Sequence, residues 1–363
     1  MAKDVVGIGI IGTGFARSTQ IPGFRACEGA RVVAIASGRK QNAERVAREF
    51  GIEFATNDWR EVVEREDVDL ISIVTPTNTH REMTLAALDA GKAVLCEKPT
   101  AIDAEEAAEM LSRSQKTGLL ALIDHELRFL PARRRMREMI HSGEIGRVHH
   151  AKYCFRAESR VNPERPWNWW SDASQGGGVL GAIGSHAVDS LRWLLKTEVS
   201  HVAAQLATHI KERREEESGS MRPVTADDEA NLLLRLLDTE ATEGATATVS
   251  MSVAEQGQPI HSVEVFGSKG ALKVEGNAVL LARTGEGRWS EVEAPAGELA
   301  EGMRDSEWSR GFTLFSRAVI DALREGRNSV DEAATFTDGY RNQLVLDAAR
   351  RSSSTGATIE IKD

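Results

Sequence analysis

The first third of the chain alternates short, continuously apolar runs with longer stretches of helical spacing, and this alternation limits the fold more than any other feature of the 363 residues. The runs are Val5 to Ile11, Val32 to Ala36, Leu70 to Val74, Ala93 to Cys96 and Leu119 to Ile123. Between them, Ala43 to Phe50, His80 to Ala90 and Ala104 to Thr117 carry helical periodicity. Strands apolar along their whole length, rather than on alternate residues, belong to a parallel sheet covered by helices on both faces. The pattern predicts an N-terminal α/β domain of Rossmann type, with a doubly wound parallel sheet.

After Asp124 the texture changes, so residues 1–124 and 125–363 are expected to form separate domains. Leu130 to Ser142 reads as a basic helix whose Arg133, Arg134, Arg135 and Arg137 face water, and Gly181 to Leu195 reads as an apolar helix. Val202 to His209, Ala230 to Leu237, Ala245 to Val253, Ser262 to Phe266 and Ala271 to Val274 alternate like antiparallel strands, which predicts an α+β second domain. The charged stretch Lys211 to Ser220 reads as a solvated hairpin loop with too little apolar surface to order itself, Ala294 to Gly302 as another loop, and Trp308 to Arg324 as a late helix.

Composition removes several function classes. A formal net charge of −10 disfavours a nucleic-acid binder, which needs surplus cations on one face. Cys27, Cys96 and Cys154 are odd in number and far apart, so neither a disulfide framework nor a CxxC metal site is expected. No run reaches the 18 or so apolar residues of a membrane span, and Val5 to Ile11 is too short for a signal-peptide core. A cytoplasmic protein with no membrane partner is the expectation. His149 with His150, and His201 with His209, lack carboxylate or thiol partners at ligand spacing, so no catalytic metal is expected.

Gly7, Gly9 and Gly12 match GxGxxG literally, but they lie inside the first apolar run. A phosphate-binding turn has to sit where strand gives way to helix, so that backbone amides face the diphosphate. The turn is therefore assigned to Gly12, Thr13, Gly14 and Phe15, with Gly12 making the bend and Gly14 admitting the cofactor. The third glycine slot falls on Arg17, with Ala16 one residue early; either the turn is one residue short or Arg17 faces outward and adds a positive charge near the phosphates. At the end of the second run stand Ser37, Arg39 and Lys40, with no carboxylate where one would bond a free ribose 2′-hydroxyl. A hydroxyl and two cations suit a 2′-phosphate, which predicts NADP in preference to NAD.

Thr75, Pro76, Thr77, Asn78, Thr79 and His80 follow one strand; Glu97, Lys98 and Pro99 follow the next. With the glycine turn, the segment Gly176 to Asp189, the Arg128, Phe129, Pro131 stretch and the closing segment Asp331 to Ile361, these residues resemble the Gfo/Idh/MocA family of sugar and cyclitol oxidoreductases. The resemblance implies a C-terminal domain built on a large, mostly antiparallel open sheet. It also implies a homodimer or homotetramer assembled through that sheet, and an NAD(P)-dependent dehydrogenase or reductase acting on the CH–OH group of a sugar, sugar acid or cyclitol. By the same likeness, Thr75, Pro76, Asn78, His80, Glu97, Lys98 and Pro99 line the cofactor, and the Lys98–Pro99 bond is the one expected to be cis.

Hydride transfer at a carbinol needs a partner for the hydroxyl proton. Lys98 and His186 are the expected catalytic pair, meeting beside the nicotinamide, with Asp189 three residues along the same helix face as His186. The family's aspartate four residues before the histidine is Ala182 here, which puts the familiar three-residue mechanism in doubt and leaves Asp189, Asp124 or Glu126 to supply the charge. Upstream, Arg165, Trp167, Asn168 and Trp169 combine aromatic faces with polar groups suited to a polyhydroxylated ligand, or else anchor a loop. A hydrolase or lyase that recycles tightly bound NAD, and a non-catalytic dinucleotide-binding sensor, are the two other functions compatible with this chain.

Overall fold

The computed structural model describes residues 3–285 and 287–362. Its chain divides into two compact units, Met1–Leu130 with Gly297–Tyr340, and Pro131–Ala296 with Arg341–Asp363.

The first unit holds β1 (Val6–Ile11), β2 (Ala30–Ala36), β3 (Phe54–Thr56), β4 (Leu70–Ile73), β5 (Ala93–Cys96) and β6 (Ala121–Ile123). All five pairings among these strands are parallel, in the order β6-β5-β4-β1-β2-β3. Every residue of β1, β4 and β5 is buried, as continuous apolar runs require. Helices α1 (Ile21–Arg25), α2 (Lys40–Phe50), α3 (Trp59–Val63), α4 (His80–Asp89) and α5 (Ala104–Thr117) connect them. Local chemistry sets several helix ends: Asp103 caps α5 by accepting from Glu106 N at 2.9 Å, and Gly118, at φ +62°, closes it.

The second unit begins with α6 (Pro131–His141) and β7 (Val148–Arg156), followed by α7 (Ser185–Leu195) and β8 (Val199–Ala207). The hairpin β9 (Glu212–Arg214) and β10 (Met221–Pro223) stands apart as a two-stranded ribbon. The main sheet continues with β11 (Glu229–Leu236), β12 (Thr242–Ser252), β13 (Ile260–Gly267), β14 (Gly270–Glu275), β15 (Ala278–Arg283) and β16 (Ser290–Val292). Helix α8 (Glu307–Arg324) and strand β17 (Ala334–Thr335) then belong to the first unit, and α9 (Phe336–Thr355) carries the chain back to β18 (Ile359–Glu360). The nine-stranded sheet has the order β16-β15-β14-β13-β7-β12-β11-β8-β18 and is antiparallel throughout except for the β7–β12 pair.

Both sheets match the expected fold class, while the organisation along the chain differs from the expected 1–124 and 125–363. Division falls at Leu130, and residues 297–340 return to the first unit because α8 is amphipathic toward it. Phe312, Phe315, Val319 and Ile320 share one buried cluster with Val6, Ile8, Ile10, Phe24 and Phe129. Phe315 stacks on Phe129 at 4.6 Å between ring centroids.

Three local expectations are also revised. Lys211 to Ser220 is part of the β9–β10 hairpin, ordered through Arg213, which is 2% exposed and donates to the carbonyls of Asn162 and Arg160. Arg133 is not solvated: it is 1% exposed and bonds Ser190 Oγ at 3.0 Å and His261 Nε2 at 3.1 Å. The central strand β7 is not evident in the sequence, because its polar residues hide the alternation.

Candidate functional site

The C-terminal ends of β1, β2, β4 and β5 bring together the predicted cofactor residues of the first unit. Gly12 follows β1 at φ +115°, and a Cβ there would lie 2.1 Å from the carbonyl oxygen of Val74, so only glycine fits. At Gly14 an added Cβ would meet no protein atom within 4 Å. This second glycine is thus not demanded by the protein's own packing, and it stands at the start of a helical segment, where a diphosphate would approach backbone N–H groups. Ala16 is fully buried and opens a π-turn, Ala16–Gln20, while Arg17 faces outward and pairs with Glu49 at 2.6 Å. Of the two readings of the third glycine slot, Arg17 facing outward is the one observed.

Across the next loop, His80 is 1% exposed, with its ring nitrogens 3.1 Å from Pro99 O and 3.0 Å from Thr75 O. It braces the two βα loops to each other. Thr79 Oγ1 donates to Pro76 O and lies within hydrogen-bond distance of Thr75 Oγ1, both at 2.7 Å, Pro76 is half-buried, and Asn78 is exposed. Thr13 Oγ1 lies 3.5 Å from Ser37 Oγ, joining the glycine turn to the end of β2, with Phe15 half-buried beside it.

The Glu97, Lys98, Pro99 loop follows β5, and its Lys98–Pro99 bond is cis as expected. Lys98 is partly exposed, whereas Glu97 beside it is buried. Gln20, absent from the predicted site, anchors this loop: its amide nitrogen donates to Glu97 Oε1 and to Asp124 Oδ2, each at 3.0 Å, and its amide oxygen accepts from Ser72 Oγ at 2.5 Å. The Gln20 amide thus bridges two buried carboxyl groups, Glu97 and Asp124, and each disfavours a charge on the other. Burial raises both, and Asp124 goes well above the usual carboxylate range, since Glu97 and Glu126 repel its charge as well.

A stability signature follows. Asp124 binds its proton more tightly folded than unfolded, so it contributes stability at low pH that is lost as pH rises from the unfolded value near 3.8 through the raised folded value. Each unit of difference is worth about 1.4 kcal/mol. In Asp124→Asn the amide does not titrate, and thermal melts between pH 4 and 8 are expected to fall less steeply than those of the wild type. Equal slopes would remove the proton from this pair.

In the second unit, α7 continues from a π-turn, Leu180–Gly184, and carries His186 and Asp189, which are 1% and 2% exposed. Asp189 accepts from Asn342 Nδ2 at 3.3 Å, and Asn342 Oδ1 accepts from Arg192 at 2.9 Å. Asp227, another residue the sequence did not single out, stands at the start of this segment: its Oδ2 accepts from Leu180 N at 2.7 Å, and burial raises it to about 6. Its neighbour Gly178, at φ +106°, gives the room, since a Cβ there would lie 2.5 Å from Asp227 Oδ1.

The tryptophan loop divides between anchoring and access. Trp167 is an anchor, with its indole N–H on Pro223 O at 3.1 Å and Arg222 over its ring at 3.5 Å. Asn168 accepts from Trp170 N and Arg160, Arg165 donates to Ser159 O, and Trp169 is half-buried. Lys98 belongs to the first unit, and His186, Asp189, Arg165, Trp167, Asn168 and Trp169 to the second.

The family described as "Oxidoreductase family, NAD-binding Rossmann fold" matches residues 6–125, and the GFO/IDH/MocA C-terminal domain matches residues 133–273. The chain belongs to the Gfo/Idh/MocA oxidoreductase family. Similar members include human glucose-fructose oxidoreductase domain-containing protein 2, 30% identical over 98% of this chain and 93% of that one. Levoglucosan dehydrogenase of Pseudarthrobacter phenanthrenivorans is 27% identical over 90% of this chain and 88% of the relative. A solved levoglucosan dehydrogenase in complex with NADH and L-sorbose superposes with a TM-score of 0.88 at 26% identity, over 99% of this chain and all of that one. As a Gfo/Idh/MocA member, this chain is a nicotinamide-dependent oxidoreductase.

The expected preference for NADP is overturned. The matched Gfo/Idh/MocA domain is an NAD-binding one, and the solved levoglucosan dehydrogenase complexes contain NADH. Arg39 and Lys40 are exposed at the first turn of α2, where water screens them and the helix dipole disfavours cations. The hydroxyls of Thr13 and Ser37, 3.5 Å apart at the end of β2, add no charge there. NADH is expected to bind about tenfold more tightly than NADPH, the worth of one good hydrogen bond. Fluorescence titration of both cofactors checks this, and equal or tighter NADPH binding would contradict it.

Proposed function

We propose that the chain catalyses NAD-dependent oxidation or reduction at a CH–OH group of a sugar, sugar acid or cyclitol, with Lys98 handling the hydroxyl proton. The observation that carries this reading is the placing of Lys98: it follows the end of β5, braced to the glycine-turn helix through Glu97 and Gln20, and to the Thr75 loop through Pro99 and His80. Residues Gly12 to Phe15, Ser37, Thr75, Pro76 and Asn78 would hold the dinucleotide, and bound NAD supplies the hydride acceptor or donor.

Lys98 in its neutral form takes the proton from the substrate hydroxyl during oxidation, and as ammonium returns it during reduction. His186 is the second proton-handling group, held on a buried helix face whose Asp189 is fixed by Asn342. Levoglucosan dehydrogenase, solved with L-sorbose and with levoglucosan, supports a polyhydroxylated substrate. The open nine-stranded sheet is the face through which a homodimer or homotetramer would assemble, and light scattering reads the oligomer directly.

Purified protein incubated with NAD and a panel of aldoses, aldonates, uronates, anhydrosugars and inositols is expected to form NADH with at least one of them. Exchange of substrate C–H with solvent, without net NADH, would instead indicate a recycled cofactor. Binding without either would indicate a sensor.

A further inference from the structure

Arg160 lies just beyond β7 and is 8% exposed. Its guanidinium sits 4.2 Å from the centre of the Trp170 ring, and Nη2 donates to Asn168 Oδ1 at 3.3 Å. Among the described residues no carboxylate lies within ion-pairing distance of it. The charges that act on it are those of Arg165 and Arg213, and with burial they bring it down to about 9. A buried cation surrounded by cations is costly unless an anion joins it.

Its neighbours are already engaged. Arg213 donates to the carbonyls of Asn162 at 2.7 Å and Arg160 at 2.6 Å, and Arg165 to Ser159 O at 2.8 Å. The turn that carries Trp170 is seated beside the histidine helix: a Cβ on Gly177 would lie 2.6 Å from Trp170 O and 2.7 Å from Trp169 O. Nine residues further on, that same segment reaches His186. Arg160 therefore belongs to the layer of loops that introduces the histidine helix.

We propose that Arg160 binds a carboxylate of the substrate, so that the preferred substrate is an acidic polyol, a uronate or aldonate, rather than a neutral sugar. A planar guanidinium backed by an indole and flanked by a neutral amide presents one edge, which fits the two oxygens of a carboxylate. A phosphate dianion would call for more donors than that edge offers. The inference deepens the oxidoreductase reading and rests on it for the reaction, while the binding step stands independently.

The test uses the full-length protein with NAD and compares glucuronate, glucose and glucose 6-phosphate. Turnover efficiency (kcat/KM) is expected to be at least about tenfold higher for glucuronate than for glucose, the scale of one charge-assisted contact. In Arg160→Gln that ratio falls to within about twofold of unity, and in Arg160→Lys, which keeps the charge and the fold, it stays between the two. Independently of turnover, gluconate is expected to quench tryptophan fluorescence at a concentration at least about tenfold below that of glucitol, and to lose this advantage in Arg160→Gln. An unchanged ratio in Arg160→Gln, or a preference for glucose or for glucose 6-phosphate, would overturn the assignment. Arg160-dependent gluconate binding with no turnover of any substrate would uphold it and sink the catalytic reading instead.

Discussion

Lys98→Met is expected to lower turnover by a factor of about 100 to 10,000 while NADH still binds within a few-fold of the wild type. The smaller figure corresponds to about 2.7 kcal/mol of transition-state stabilisation. Methionine keeps the length and the apolar stem of lysine but neither accepts nor donates the proton that must accompany hydride movement. The hydrogen bonds of Gln20 to Glu97 and of His80 to Pro99, which position the loop, do not involve the Lys98 side chain. Lys98→Arg is expected to be nearly as damaged, because a guanidinium does not give up its proton near neutral pH. Near-normal turnover in Lys98→Met would sink the assignment, whereas loss of NADH binding would show that the residue holds the cofactor rather than the proton.

The two turn glycines are expected to fail in different ways. Gly12→Ala forces a Cβ to within 2.1 Å of a backbone carbonyl oxygen at φ +115°, so both backbone strain and collision act on the fold. Together they should cost about 3 kcal/mol or more, a fall of roughly 6–12 °C in Tm for a unit of this size, with NAD binding lost as well. Gly14→Ala meets no protein atom within 4 Å, so its Tm should remain within a few degrees of the wild type. Its NAD affinity, however, should drop at least tenfold if the diphosphate passes over it, as the turn requires. Differential scanning calorimetry with and without NAD separates the two cases. If Gly14→Ala bound NAD normally, the cofactor would have to lie elsewhere.

How much of the site was legible depended on how local its determinants are. Glu97, Lys98 and Pro99 form a contiguous triplet, and Gly12 reveals itself by following an apolar run. Gln20 gives no such signal: its partners lie 77 and 104 residues away, and its place on a π-turn is set by how the helix leaves the glycine turn. Asp227 was equally hidden, since it meets Leu180 from 47 residues downstream. The NADP expectation failed for a related reason: the sequence shows the charges of Arg39 and Lys40 but not their exposure. Arg133 and Arg213 were misjudged in the opposite sense, since a charged side chain looks solvated until the distant acceptors that bury it are known.

The sequence by itself determined the two kinds of sheet and the positions of the glycine turn and the lysine loop, because strand burial and tight turns leave their mark in hydrophobic period and glycine placement within a few residues. Only the tertiary structure decided that residues 297–340 rejoin the first unit, that Gln20 bridges the buried carboxyl groups of Glu97 and Asp124, and that Arg160 is buried beside Trp170. Such facts depend on which remote groups meet, and the free energy of a buried charge or carboxyl is set by those neighbours rather than by its own stretch of chain.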